Sequence, residues 1–228
     1  MGHAIEEIAI QHGHSIALAV SIENVEDNTI DNIRKADLAI EFTGPESAFE
    51  NICRCLDAGV PVVSGSTGWL QHFEEAKKYC QDRNGAFLYA SNFSVGVNIF
   101  FAINKKLAEL MATHNDYDVS ITEIHHTTKR DAPSGTAISL AEQVLASIPK
   151  KKSWVNHKSN NKAELSILSD RIDPAPGKHI VTYTSEIDDI EITHNAHNRK
   201  GFALGAVLAA EFLIHKKGIY SMKEVLGI

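Results

Sequence analysis

Val60-Pro-Val-Val-Ser-Gly-Ser-Thr-Gly-Trp69 sets a short apolar run directly before a turn of small residues. An apolar run of this length, bounded by Gly and Ser, predicts a buried strand that ends in a tight turn. Three similar runs surround it, at residues 16–22, 38–42 and 86–89, and the segments between them carry apolar residues at helical spacing. Strands alternating with helices predict an α/β fold built on a parallel, doubly wound sheet. Gly13 closes the first predicted helix and Pro45 opens the next, while Gly59, Pro61 and Asn84-Gly85 mark further boundaries. In such a sheet the turns after the strands are where a cofactor lies. Gly65, Ser66, Thr67 and Gly68 allow close backbone approach to a ligand, although such a turn is a weak signal by itself.

Past residue 97 the pattern changes. A long amphipathic helix is predicted over 97–111, then strands over 118–124 and 179–194, and a returning helix over 202–215. We therefore expect a dinucleotide-binding domain over 1–96, a second α+β substrate and oligomerisation domain over 97–200, and a C-terminal helical return over 201–228.

The stretch with the densest chemistry is Glu123-Ile-His-His-Thr-Thr-Lys-Arg-Asp-Ala-Pro-Ser-Gly-Thr-Ala137, between a strand-like and a helix-like segment. Lys129 and Arg130 supply positive charge, and the Ser134-Gly135-Thr136 helix start offers unpaired N–H groups that favour a carboxylate or phosphate. His125 and His126 are adjacent on extended chain, so they point to opposite faces and do not readily chelate one metal. Either imidazole suits proton delivery near neutrality, and Lys129 suits stabilising negative charge. An isolated His or Lys here would read as a basic loop with a helix cap; the clustering favours a proton donor beside an anion clamp. Ser134 as a nucleophile is disfavoured, because Ala132-Pro-Ser-Gly-Thr136 replaces the Gly-x-Ser-x-Gly elbow.

This stretch resembles the signature of the dihydrodipicolinate reductase family. Glu41-Phe-Thr-Gly-Pro-Glu46, Ser64-Gly-Ser-Thr-Gly-Trp69, Ser91-Asn-Phe-Ser-Val-Gly-Val-Asn98, and Glu191-Ile-Thr-His194 through Arg199 and Phe202 follow in the family's order and extend the resemblance over nearly the whole chain. The resemblance implies reduction of an unsaturated heterocyclic dicarboxylate by NADH or NADPH, in lysine and diaminopimelate synthesis. It implies His125 as proton donor, Lys129 as the companion catalytic cation, and His126, Gly135 and Thr136 as groups holding the substrate carboxylates, with Arg199 as electrostatic support. It implies Thr43, Gly65, Ser66, Thr67, Ala90, Ser91, Asn92 and Phe93 beside the cofactor, and association as a homotetramer. Family members open on a strand and a glycine-rich turn, of which Gly2 matches the last glycine; the expectation is a chain lacking that strand, with weakened dinucleotide affinity. Ser21 and Glu23 fall where the ribose is read, with no neighbouring Arg or Lys, and leave nucleotide preference open.

Composition agrees with an enzyme. The chain has 228 residues and a net charge of −7, which opposes general nucleic-acid affinity. The basic stretch 149–162 accordingly reads as a solvated loop rather than an anionic-partner site. No apolar run reaches membrane-spanning length and no secretory leader pattern is evident, so the cytoplasm is the expected location. Cys53, Cys55 and Cys80 are odd in number, and a Cys-x-Cys pair in a helix does not share a face, so free thiols are expected. His194 and His197 lack nearby Cys or carboxylate partners and read as packing or substrate contacts; no metal is expected. The rival to the reductase reading is a dicarboxylate-binding or scaffold protein with an impaired cofactor site, or a reductase acting on another amino-acid precursor.

Overall fold

The computed structural model describes residues 1–198 and 200–228. They form two compact units, Met1–Asn98 with Lys200–Ile228, and Ile99–Arg199.

The first unit holds a four-stranded, all-parallel sheet, in the order β1 (Ala39–Glu41), β2 (Val62–Ser64), β3 (Ala86–Tyr89) and β9 (Gly218–Tyr220). Alternation along each strand sends successive residues to opposite faces. Val63, Ala86 and Leu88 pack with α1 (Gly2–Gln11), α7 (Lys200–Leu213) and α8 (Met222–Leu226), whereas Val62 and Phe87 pack with α2 (Ile30–Ile33), α3 (Ala48–Asp57) and α4 (Phe73–Asp82). Both faces are covered, which is why these strands read as continuous apolar runs.

Two expectations are corrected here. Residues 16–22 form no strand; the segment runs as irregular chain in which Asn24 accepts from the Ser21 backbone and hydroxyl, and Ile16, Val20 and Ile22 are exposed. A strand is stabilised by its ladder and its covered face; this segment has no ladder among the described residues, and of its apolar residues Leu18 packs against the core while Ile16, Val20 and Ile22 do not. The C-terminal return is also not wholly helical, since β9 adds an edge strand to the sheet.

The second unit carries a mixed five-stranded sheet, in the order β5 (Ser153–Val155), β6 (Glu164–Arg171), β4 (Asp118–His125), β7 (Gly177–Thr184) and β8 (Asp189–Ala196). α5 (Val95–Met111) begins in the first unit, and its remainder packs with α6 (Gly135–Ser147) against one face, through Phe100, Ala108, Leu140 and Val144 onto Ile121, Leu165, Ile167 and Val181. The run expected as one strand over 179–194 is a hairpin, closed where the Ser185 N–H donates to the Asp188 carbonyl. Nor is 149–162 a wholly solvated loop. It contains β5, and the Lys151 side chain is buried, with its ammonium 2.8 Å from Asp118 and donating to the Glu164 carbonyl.

Candidate active site

β4 alternates strictly between half-buried and buried positions, which places Val119, Ile121, Glu123 and His125 on its inner face. The first two belong to the apolar core; the last two turn that face polar at the strand's end. Register completes the cluster. Glu123 sits opposite His179 on β7, and His125 opposite Arg171 on β6.

Glu123 is fully buried. Its Oε1 accepts from Arg171 Nη2 at 3.1 Å and from the Ser134 N–H at 3.2 Å. Its Oε2 lies 2.7 Å from His125 Nδ1, off the ring N–H direction, and neither atom has another hydrogen-bond partner. Burial alone pushes this carboxyl up, but the His125, Ser134 and Arg171 groups beside it outweigh burial and hold the group well below the usual carboxylate range. The His179 ring meets His125 edge-on, with centroids 5.1 Å apart. Burial, reinforced by the positive charge available to His125, lowers His179 to about 4, so His179 is neutral at physiological pH. On the far side of His125, a Cβ at Gly177 would lie 3.1 Å from Nε2; glycine at this position keeps that nitrogen clear.

The loop after β4 is held along its length. Ile172 N–H donates to the His125 carbonyl, Arg171 reaches the carbonyls of Lys129 and Asp131, and Asp173 accepts from the Thr127 backbone and hydroxyl. The loop ends at Ser134, whose hydroxyl caps α6 by accepting from the Ala137 N–H and also meets His179 Nε2 at 3.1 Å. Gly135 is exposed and Thr136 half-buried at the helix start, where N–H groups favour an anion. His126 turns away from His125 and pairs with Thr128. Lys129 pairs with both oxygens of Asp131. Arg199 lies outside the described residues.

Glu123, His125 and His179 also bring ligand-type atoms within 4.8 Å of one another, as a metal site would. The Arg171 guanidinium on Glu123 is a like charge to any cation placed there and disfavours that use. Sequence reasoning did not select Glu123, Arg171, His179 or Gly177 as site residues. The β4 alternation contained the signal for Glu123, whereas the other three reach the site only through sheet register.

In the first unit, the predicted cofactor residues lie at the strand ends. Thr67, Ser91 and Thr43 are exposed, Gly65 and Ala90 half-buried, and Ser66 buried. Glu41, itself buried, accepts from the hydroxyls of Thr43, Ser64 and Ser66, which ties the turns after β1 and β2 together. The Thr43 N–H donates to both Glu41 and Ser66. The Thr43 and Ser66 hydroxyls are thus both engaged by Glu41. Gly65 packs under the Phe42 ring, where a Cβ would come within 2.2 Å, and Phe42 meets the buried Phe93 ring at 5.4 Å. Asn92 caps the following turn by accepting from the Ser94 N–H. Gly2 begins α1 with open space around it. Small, exposed turns at the ends of parallel strands fit a nicotinamide nucleotide.

A parallel sheet with such turns, joined in one chain to a unit that places a buried imidazole ahead of a helix N-terminus, is the plan of a two-domain oxidoreductase. The chain belongs to the dihydrodipicolinate reductase family. Residues 1–93 match "Dihydrodipicolinate reductase, N-terminus" and residues 96–226 match "Dihydrodipicolinate reductase, C-terminus". It is 48% identical over 227 residues to 4-hydroxy-tetrahydrodipicolinate reductase of Christiangramia forsetii, covering 100% of this chain and 94% of the relative. The same enzyme of Methanosarcina barkeri is 36% identical, covering 92% of this chain and 81% of the relative. Among solved structures, dipicolinate-bound dihydrodipicolinate reductase from Paenisporosarcina sp. TG-14 superposes with a TM-score of 0.69 at 25% identity, covering 92% of this chain and 82% of that one. Family membership implies a nicotinamide nucleotide cofactor.

Proposed function

We propose that this chain reduces 4-hydroxy-tetrahydrodipicolinate to tetrahydrodipicolinate, the step of lysine and diaminopimelate biosynthesis for which its relatives are named. The observation that carries the reading is His125, buried beside an ionised carboxylate with Nε2 kept clear, at the start of a loop that ends on the α6 N-terminus. The nucleotide supplies a hydride when bound. Gly2, Thr43, Gly65, Ser66, Thr67, Ala90, Ser91, Asn92 and Phe93 hold it, in turns that Glu41 ties together through the Thr43 and Ser66 hydroxyls. His126, Lys129, Gly135 and Thr136 hold the dicarboxylate, and Lys129 offsets charge that develops on the ring. A proton from His125 balances the hydride, and the substrate hydroxyl leaves as water.

The nucleotide is NADH or NADPH; Ser21 and Glu23 have no immediate Arg or Lys neighbour that would favour the phosphate. A homotetramer associating through the second unit is supported by β8, an edge strand on which Ile190 is exposed. A cytoplasmic setting is supported by three free thiols, and no helix among the described residues is long and apolar enough to cross a membrane. The test is direct: the chain is supplied with the hydroxy-dicarboxylate and each nucleotide in turn, and nicotinamide oxidation is followed. Absence of turnover with both would overturn the reading, and light scattering of the same sample decides the assembly.

A further inference from the structure

We propose that Glu123, clamped by Arg171, is the positioning residue of His125: it holds the proton on Nδ1 and thereby presents Nε2 as the nitrogen that exchanges its proton with the substrate. The proposal deepens the reductase reading and rests on His125 as its proton donor.

The division of labour on the Glu123 carboxylate carries the argument. Oε1 is committed to Arg171 and to the Ser134 N–H, while Oε2 lies 2.7 Å from His125 Nδ1, off the ring N–H direction, and neither of these two atoms hydrogen-bonds to any other described residue. A fully buried carboxylate is costly to desolvate unless it is paired. Packing alone does not call for a charge here, since Val119 and Ile121 fill the same face of the strand with apolar groups. The charge instead defines which ring nitrogen of His125 carries hydrogen, because a carboxylate accepts and never donates when ionised. The opposite nitrogen is left with its lone pair in the neutral ring and becomes the donor once protonated. Gly177 is the matching feature: its lack of a Cβ leaves space at Nε2 and not at Nδ1.

The other groups around the ring are consistent with this assignment. From β7, His179 is neutral, and its Nε2 is taken up by Ser134, so it does not compete with Glu123 for the Nδ1 proton. From β6, Arg171 reaches Glu123 and two loop carbonyls. Arg171 therefore couples the orientation of the carboxylate to the course of the loop that bears Lys129. In the loop, Lys129 is engaged by Asp131. Glu123 does not touch the substrate in this scheme; it acts through His125.

The test combines a variant with a measurement that needs none. Nitrogen NMR of histidine-labelled wild-type protein, with the His125 signals assigned by their loss in His125→Gln, is expected to show the neutral ring protonated on Nδ1. In Glu123→Gln the side-chain amide can donate to Nδ1, so the tautomer should move toward Nε2–H. Turnover should then fall by about 30-fold or more, while affinity for pyridine-2,6-dicarboxylate stays within ~3-fold, and Glu123→Asp should recover part of the lost turnover. A wild-type ring protonated on Nε2, or a Glu123→Gln enzyme within ~3-fold of wild-type turnover, overturns the proposal. Wild-type protein that oxidises neither nucleotide would instead sink the reductase reading, with the tautomer measurement still deciding the Glu123 and His125 pairing.

Discussion

The Lys129 ammonium lies 2.8 Å from each oxygen of Asp131, so without a ligand the cation proposed to meet the substrate already holds a carboxylate from its own loop. Asp131 is largely exposed and Lys129 partly so. Exposed pairs of this kind contribute about 0–1 kcal/mol, which an incoming dicarboxylate can replace at little cost. Asp131→Asn is expected to tighten pyridine-2,6-dicarboxylate by roughly 2- to 5-fold in calorimetry, the range that such an energy corresponds to. Weaker binding in this variant would show that Asp131 supports the anion site rather than competing for it.

His125→Gln and Lys129→Ala both remove a group assigned to the chemistry while leaving the Arg171 clamp on the loop backbone in place. Each should lower turnover by about 100-fold or more, as expected for losing a general acid or a charge-stabilising cation. Stopped-flow single turnovers, which separate chemistry from product release, are the appropriate measurement; wild-type rates in both variants would reject the assignment.

Glu41 predicts a different phenotype, because it binds the turns rather than the ligand. Removing its carboxylate strips an acceptor from three hydroxyls and from the Thr43 N–H at once. Glu41→Ala is expected to cost roughly 3–5 kcal/mol in urea unfolding, and Glu41→Gln, which keeps the shape and one acceptor oxygen, roughly 1–2 kcal/mol. Nucleotide affinity should fall in both, since the backbones of Thr43 and Ser66 lose their common anchor. An unchanged denaturation midpoint in Glu41→Ala would show that the turns stand without it.

Much of this architecture was legible from local pattern. The apolar runs at 38–42, 60–64 and 86–89 became β1, β2 and β3, because strands buried on both faces must be apolar throughout. The boundary between β4 and α6 fell where Ser134 could cap a helix. The run at 16–22 was equally apolar and failed as a strand, since pattern records what a strand would bury and not whether a neighbour is present to pair with it. β5 was hidden by lysines, whose long stems allow Lys151 to lie buried while its ammonium reaches Asp118. In the site, His125, Lys129 and the helix start are contiguous and were visible together. Arg171 and His179 are 46 and 54 residues from His125 in sequence, by difference of their numbers, and only pairing across β6 and β7 brings them in.

Gly205 links the returning helix to the proposed nucleotide site. A Cβ there would lie 1.7 Å from the Phe93 carbonyl oxygen, so α7 packs directly on that backbone and admits no side chain. Gly205→Ala must push the helix and the 90–94 turn apart. We expect a loss of at least ~2 kcal/mol in thermal or urea unfolding, the upper range for overpacking against an unyielding neighbour. Because the displaced segment is the one assigned to the nicotinamide end, NADH affinity should fall with it. A variant of normal stability would show that α7 can shift without disturbing Phe93.

Buried His179 makes stability depend on pH with a definite sign. His179 has its folded value lowered to about 4 from an ordinary value of 6.5, so between those limits the unfolded chain binds a proton that the folded protein does not. Stability is therefore undiminished by this residue above the unfolded value and is lost as pH falls from 6.5 toward 4, by about 3 kcal/mol at the lower limit. His194, also lowered by burial, acts in the same direction, and Glu123 adds its own loss only below the ordinary carboxylate value, where the unfolded chain begins to protonate. Comparing wild type with His179→Gln isolates the single residue. Unfolding free energies measured from pH 7 to pH 5 should fall steeply in wild type and more shallowly in the variant, and parallel curves would show that His179 takes up its proton in the folded state as readily as in the unfolded one.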